Sequence, residues 1–60
     1  MFATTDNPRT GDKGDDNGHD FRVINKRRAE TQIEYVEDGK QAWFADNRFT
    51  RNSDGTLTLH

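Results

Sequence analysis

The sequence predicts an all-β fold, in which four or five short strands form a strongly bent antiparallel meander that closes into a small barrel. Apolar and polar residues alternate with a period of two instead of the 3.6-residue period of a helix. Asp-Gly pairs, which favour tight hairpin turns, lie between the alternating segments. Closure into a barrel is favoured because it hides the strand edges, whereas a flat sheet of this size would leave its apolar face uncovered.

The composition limits the protein to one small, thin core. The chain has 60 residues, of which 28% are hydrophobic and 33% charged, against about 45–50% and 25% in typical domains. A chain of this length buries only about 60% of its unfolded surface, so a multidomain architecture is excluded. Cysteine is absent, which excludes disulfides, thiolate zinc sites and thiol nucleophiles.

The distribution of apolar residues divides the chain into two parts. Fourteen of the seventeen hydrophobic residues lie between Phe21 and Leu59, whereas residues 4–20 contain none and have a net charge of −3. Such a stretch has no apolar side chain whose burial could offset the entropy of ordering. We therefore predict a disordered, acidic, Gly/Asp-rich tail over residues 1–20 and a small β-barrel module over residues 21–60.

A first hairpin is predicted around Asp38 and Gly39, because an Asp-Gly pair favours a type I′ turn. A two-residue turn there places Ile33 opposite Phe44, and opposite residues share a face of the sheet. The face that this register predicts for the core contains Ile33, Tyr35, Ala42 and Phe44.

A second hairpin is predicted around Asp54 and Gly55. A two-residue turn is one option, and a three-residue loop with Gly55 in the left-handed conformation is the other. We favour the three-residue loop, because it places Phe49 opposite Leu59 and so pairs apolar residues.

Two further segments complete the predicted meander. Residues 21–25 form a β-branched run typical of a first strand. Residues 26–28 either extend this strand or form a loop after it. Residues 45–48 are typical of a single tight or 3₁₀ turn between strands.

The stretch from residue 29 to residue 49 resembles the middle of small SH3-like barrels of the Tudor and KOW type. In those domains a strand of the form x-hydrophobic-x-aromatic, here ending at Tyr35, meets an Asp-Gly turn, and the return strand ends in a short turn like residues 45–49. The resemblance implies an SH3-like barrel and, by analogy with KOW domains, association with RNA or the transcription machinery. It does not imply the aromatic cage of Tudor domains, because Tyr35 and Trp43 fall on opposite faces.

The predicted function follows from Trp43, which falls on the face opposite the core together with Val36. An exposed aromatic residue is a typical anchor for a protein partner, although barrel curvature or the first strand could instead cover it. We expect a small non-enzymatic protein-interaction module, such as the accessory or inhibitory proteins of phages and mobile elements that act on a larger macromolecule. The thin core also allows a homo-oligomer. The candidate partner-binding residues are Trp43, Val36, Arg48 and Arg51.

The alternative function is weak RNA or DNA binding, in which a basic patch contacts phosphates and an aromatic ring stacks on a base. Against it, the overall charge of −2 is unfavourable for a tight phosphate-backbone binder. The basic residues could equally serve to protect strand edges from pairing. The candidate nucleic-acid residues are Arg22, Lys26, Arg27, Arg28 and Trp43.

We predict no cofactor, no metal site and no catalytic residue, and therefore no enzyme. The segment from Gly11 to Asp20 is one imperfect copy of a calcium-binding Gly-Asp repeat, and a solvated linker is the favoured interpretation. The only serine, Ser53, is explained by its turn, and neither histidine is near a nucleophile in sequence. Without a signal peptide or a long apolar run, the expected location is the cytoplasm, with no membrane contact.

Overall fold

Six strands form one curled sheet in the computed structural model, which describes residues 7–60. The strands are β1 (Lys13–Asp16), β2 (His19–Arg27), β3 (Glu30–Tyr35), β4 (Gln41–Ala45), β5 (Phe49–Arg51) and β6 (Leu57–Leu59). Their order across the sheet is β4-β3-β2-β1-β6-β5. The predicted all-β class is confirmed, and the sheet forms a half-barrel that is compatible with an SH3-like barrel.

Two details differ from the predicted meander. There are six strands instead of four or five, and β1 pairs with β6 in parallel while the other neighbours are antiparallel. Both differences have one origin, the additional strand β1, which joins the β2–β3–β4 meander to the β5–β6 hairpin.

The core lies on the concave face of the sheet. It consists of six buried apolar residues, against which Tyr35 and Phe44 pack. Phe49 contacts two other rings edge-on, with centroid distances of 6.0 Å to Phe21 and 6.4 Å to Phe44. Because Phe49 is in the end strand β5 and Phe44 is in the end strand β4, their contact connects the two ends of the curled sheet. The six buried residues are Phe21, Val23, Ile33, Phe49, Leu57 and Leu59.

The prediction of disorder was wrong for residues 7–20, which include β1 and the start of β2; residues 1–6 lie outside the described residues. Asn17 and Gly18 both have positive φ angles, of 54° and 90°, and form the two-residue turn between β1 and β2. Pro8 is buried, and Arg51 Nη1 forms an ion pair with Asp12 Oδ2 at 3.0 Å. This segment therefore orders through backbone pairing, an ion pair and one buried proline, without any aliphatic or aromatic side chain in the core.

Gly14 is the residue that allows β1 to fit between β2 and β6. It pairs with Phe21 on one side and with Leu57 on the other. A Cβ atom at this position would overlap the carbonyl oxygen of Leu57 and lie 2.5 Å from Phe21 Cζ. The absence of a side chain thus permits the close approach of three strands and the Phe21 ring.

The register of the first hairpin was wrong by two residues. Ile33 lies opposite Ala42, and Thr31 lies opposite Phe44. Asp38 is not among the described residues with positive φ, so the type I′ turn does not form, and a five-residue loop over residues 36–40 connects the strands. Because the shift is even, the predicted core face keeps its residues.

The second hairpin and the 3₁₀ turn are confirmed. Phe49 pairs with Leu59 across β5 and β6, and Gly55 has the left-handed φ of 93° that the three-residue loop requires. Hydrogen bonds from the side chain and backbone of Thr56 lower the pKa of Asp54 in this loop. The 3₁₀ turn Asp46–Arg48 connects β4 to β5 as predicted.

We predict that Gly14→Ala destabilises the protein by about 1–3 kcal/mol, because the added methyl group is forced into the packed contact between Phe21 and Leu57. Urea unfolding followed by Trp43 fluorescence measures this change. Lys13→Ala, at the exposed neighbouring position, is the control and should change the free energy of unfolding by less than about 0.5 kcal/mol. Equal stability of the two variants would contradict the proposed role of Gly14.

Candidate interaction surface

Strand β4 is one of the two edges of the sheet, and its outer backbone groups are open. Tyr35 N–H donates to Lys40 O, and Asp46 N–H donates to Ala29 O. Alternate residues of an antiparallel strand point their backbone groups in opposite directions, so Gln41, Trp43 and Ala45 direct N–H and C=O away from β3. Within residues 7–60 no backbone hydrogen bond occupies these groups except at the C=O of Ala45, which accepts the first hydrogen bond of the 3₁₀ turn. We call these three residues the β4 edge.

The β4 edge lacks the features by which proteins usually protect an edge strand. Those features are charged side chains, proline, bulges or a very short strand. Strand β4 has five residues, none of them charged and none a proline. The opposite edge, β5, has three residues and includes Arg51, so it is both shorter and charged.

A polar cluster, defined as Lys26, Thr31 and Asp46, holds the end of β4 in place. A bulge between Val23 and Asn25 shifts the pairing of β2 with β3, so that Lys26 pairs with the buried Thr31 on the core side. Lys26 Nζ donates to both carboxylate oxygens of Asp46, at 2.7 and 2.8 Å. Thr31 Oγ1 accepts from Lys26 Nζ at 2.8 Å and donates to Asp46 Oδ1 at 2.6 Å.

The polar cluster favours the charged form of Asp46. Partial burial acts to raise the pKa of this carboxyl group, but the hydrogen bonds from Lys26 and Thr31 and the Lys26 charge outweigh it, so the pKa is lowered. Since Asp46 begins the 3₁₀ turn, the ion pair fixes the point at which the chain leaves β4.

Trp43 lies on the convex face of the sheet, opposite Gln32 of β3. The guanidinium carbon of Arg27 lies 3.9 Å from the centroid of the indole ring, which is a cation–π contact. Arg27 Nε in turn donates to Glu30 Oε1 at 2.7 Å. The indole ring is half-buried and has Arg27 over one face, whereas the backbone of Trp43 lies on the open edge of the sheet.

Val36 lies apart from Trp43, in the loop after β3. Its side chain is 66% exposed, and its N–H donates to Asp20 O at 3.0 Å. It lines an open groove of about 450 Å³ whose other walls include Gly14 and Leu57. Trp43 is not among the residues that line this groove, so the structure does not combine these two candidate residues into one pocket.

Arg48 and Arg51 both make contacts inside the molecule. Arg48 Nε donates to His60 O at 2.8 Å, and its guanidinium carbon lies 4.9 Å from the Phe44 centroid. Arg51 pairs with Asp12 and also donates to the carbonyl oxygens of Gly55 and Asn7. Their contribution to partner binding stays a prediction, but both have structural roles.

The residues of the predicted basic patch are mostly neutralised. Arg22 Nη2 lies 2.9 Å from Glu34 Oε1, Arg27 pairs with Glu30, and Lys26 belongs to the polar cluster. Arg28, in the turn between β2 and β3, is exposed and makes no ion pair in the described part of the chain. The structure therefore does not present a cluster of free cations beside Trp43.

Tyr35 closes the other end of the core. Its hydroxyl donates to Asp16 Oδ2 of β1 at 2.5 Å, which ties the end of β3 to the strand that the sequence did not predict. Burial, followed by the hydrogen bond to Asp16 and the charge of Asp16, raises the pKa of Tyr35 to about 12.

The β4 edge includes two residues, Gln41 and Ala45, that the sequence analysis did not select. The sequence feature that could have identified these two residues is the uncharged run between Lys40 and Asp46. Its significance depends on β4 being an edge strand, which in turn depends on the position of β1.

A metal-binding cluster and a membrane-spanning helix are both absent from the described residues. In residues 7–60, no group of three or more His, Cys, Asp or Glu side chains could hold a metal ion. The same residues contain no helix long and apolar enough to cross a membrane. The chain matches no protein-family model, no curated protein and no solved structure at a significant level.

We predict that Asp46→Asn lowers the free energy of unfolding at neutral pH by about 1–2 kcal/mol, because it weakens hydrogen bonds to a charged group. The folded-state pKa of Asp46 is depressed, so its contribution is present above the unfolded value of 3.8 and is lost as the pH falls through the folded value. Urea unfolding at several pH values should show the difference from wild type shrinking below about pH 4. Asp20→Asn, an exposed aspartate opposite Asp15, is the control and should not destabilise.

We predict that Tyr35, the only tyrosine, ionises at about pH 12 in the folded protein, which ultraviolet absorbance of tyrosinate measures directly. Its folded pKa is raised, so the associated stability is present below the unfolded pKa of about 10 and is lost as the pH approaches 12. Asp16→Asn should shift the midpoint towards 10. Asp15→Asn, on the opposite face of β1, should leave it unchanged; a wild-type midpoint near 10 would contradict the hydrogen bond.

Proposed function

We propose that the protein is a non-enzymatic protein-interaction module that accepts an extended segment of a protein partner along the β4 edge. The observation that carries the proposal is the row of open backbone groups on a strand without charge or proline: both groups of Gln41 and Trp43 and the N–H of Ala45. Addition of a strand to such an edge is a common mode of peptide recognition, in which main-chain hydrogen bonds supply affinity. The small size of the chain fits an accessory or inhibitory role towards a larger partner.

Trp43 supplies the side-chain part of the proposed contact. Its indole is half-buried and is held by Arg27 at 3.9 Å, so it is oriented before any partner binds. A positioned aromatic residue loses little conformational entropy on binding, which is why tryptophan is frequent among the residues that dominate interface energies.

The alternative function is weak nucleic-acid binding near the turn between β2 and β3, as the resemblance to KOW domains would suggest. Arg28 is exposed there, and Arg27 and Trp43 lie close to each other. However, acidic residues pair with Arg22, Lys26 and Arg27, and this reduces the positive charge that a phosphate backbone would contact. The ion pairs therefore favour the protein-interaction proposal.

The substitution Ala45→Pro tests the proposal without disturbing the fold. The φ angle of Ala45 is −65°, which is the value that proline requires, and its N–H points to the open edge. We expect proteins captured from a host-cell lysate by the immobilised wild type to be retained at least about tenfold less by Ala45→Pro. Mass spectrometry and absorbance at 260 nm of the eluate measure bound protein and nucleic acid, respectively.

Two controls make the result specific. Ala45→Ser keeps the N–H at the same position and should capture the same proteins as the wild type. Arg28→Ala should also leave protein capture unchanged, because it lies outside the β4 edge. Capture of nucleic acid that is lost with Arg28→Ala and kept with Ala45→Pro would overturn the proposal in favour of the alternative.

A further inference from the structure

We infer that the β4 edge pairs in antiparallel fashion with the β4 edge of a second copy of this chain, so that two half-barrels share one continuous sheet. This inference rests on the proposed function and names the occupant of the edge. Three features of the described residues carry it: a symmetric register, complementary side chains on both faces, and the charges at the ends of the strand.

The symmetric register places Trp43 opposite Trp43 of the second copy. In that register Gln41 lies opposite Ala45. The central Trp43 pair exchanges both of its backbone hydrogen bonds, and in each flanking pair the N–H of Ala45 donates to the C=O of Gln41. A two-fold axis through the centre of the Trp43 pair relates the copies. Such self-complementary pairing produces a closed dimer and not an open filament.

Side chains fit this register on both faces of the strand. On the core side, Phe44 lies opposite Ala42 of the second copy, so that a large residue meets a small one in both directions. On the convex face the two indoles lie opposite each other, and cross-strand aromatic pairs are favourable. No like charges face each other, because residues 41–45 contain none.

The residues that flank β4 add charge complementarity. Extended by one residue at each end, the register brings Lys40 opposite Asp46 of the second copy. Lys40 forms no ion pair in the part of its own chain that the structure describes. Both residues are an even number of positions from Phe44, so their side chains lie on the same, core side of the strand. There the Asp46 carboxylate also accepts a hydrogen bond from Lys26.

The other edge is less suited to the same pairing. Strand β5 has only three residues, and the backbone N–H of Phe49 already donates to Asp46 O within the 3₁₀ turn. Self-pairing of β5 about Thr50 would place the apolar Phe49 opposite the charged Arg51. Arg51 is moreover held by Asp12 and by the carbonyl oxygen of Asn7.

The test uses the purified full chain alone, in sedimentation equilibrium and amide hydrogen exchange over a range of protein concentrations. We expect a monomer–dimer equilibrium and protection that increases with concentration at the amides of Trp43 and Ala45. The amide of Arg51, in the β5 strand, serves as the internal control and should exchange at a rate that does not depend on protein concentration. Protection of the β5 amides instead, or a monomer at every concentration, would overturn the inference.

Two double variants test the register itself. Gln41→Lys with Ala45→Lys places like charges opposite each other across the axis and should raise the dimer Kd at least about tenfold. Gln41→Lys with Ala45→Glu places opposite charges there and should restore a Kd close to that of the wild type. Equal Kd values for the two double variants would overturn the symmetric register.

The same experiments separate this inference from the proposed function. If the chain is monomeric but Ala45→Pro still abolishes partner capture, the edge binds a different protein and only the second copy is excluded. If the chain is monomeric and Ala45→Pro captures the same proteins as wild type, both proposals fail.

Discussion

The whole architecture depends on the insertion of β1 between β2 and β6. Strands β2, β3 and β4 form one antiparallel unit and β5 and β6 form another, and β1 is the strand that hydrogen-bonds to both. The insertion requires the three backbones to approach closely around Phe21, which only a glycine at position 14 permits. By pairing with β6 on one side and β2 on the other, β1 also leaves β4 and β5 as the edges of the sheet. The candidate interaction surface is thus a consequence of where β1 lies.

A second constraint, the bulge in β2, sets the chemistry at the far end of the sheet. The extra residue reverses the alternation, so that a lysine enters the core side next to the fully buried Thr31. A buried hydroxyl and an inward-facing ammonium group each need a partner, because an unsatisfied polar group is costly away from water. Asp46 satisfies both and thereby fixes the start of the 3₁₀ turn. The geometry of the β4 edge therefore depends on this polar arrangement as well as on the packing of Phe44 against the core.

The sequence was sufficient for the fold class, the core face and the second hairpin, because Gly55 and the apolar pairing of Phe49 with Leu59 agree on one register. It was insufficient for β1. The Asn17-Gly18 pair is as strong a hairpin signal as Asp38-Gly39, but β1, the strand before it, contains no apolar residue. Hydrophobicity cannot reveal that a glycine, Gly14, occupies a position in the core. The turn at Asp38 failed for the opposite reason, since nothing in the sequence shows that this aspartate keeps a negative φ. For the candidate surface, Trp43 was identifiable as an aromatic residue outside the core, whereas Gln41 and Ala45 acquire meaning only once β4 is known to be an edge.

The parallel pairing of β1 with β6 also has a consequence for the order in which the molecule folds. The hairpins β1–β2, β2–β3, β3–β4 and β5–β6 each join neighbouring segments, and such local closures take about 1–10 μs. Gly14 and Leu57 are separated by most of the chain, so their pairing has the largest loop-closure entropy to overcome and is expected to form last. Until β1 and β6 pair, Leu57 and Leu59 are not packed against the rest of the core. The two antiparallel units are then connected mainly by the 3₁₀ turn. The rate-limiting step of folding is therefore expected to be the docking of a preformed C-terminal hairpin against β1, a single event late on the pathway that closes the core.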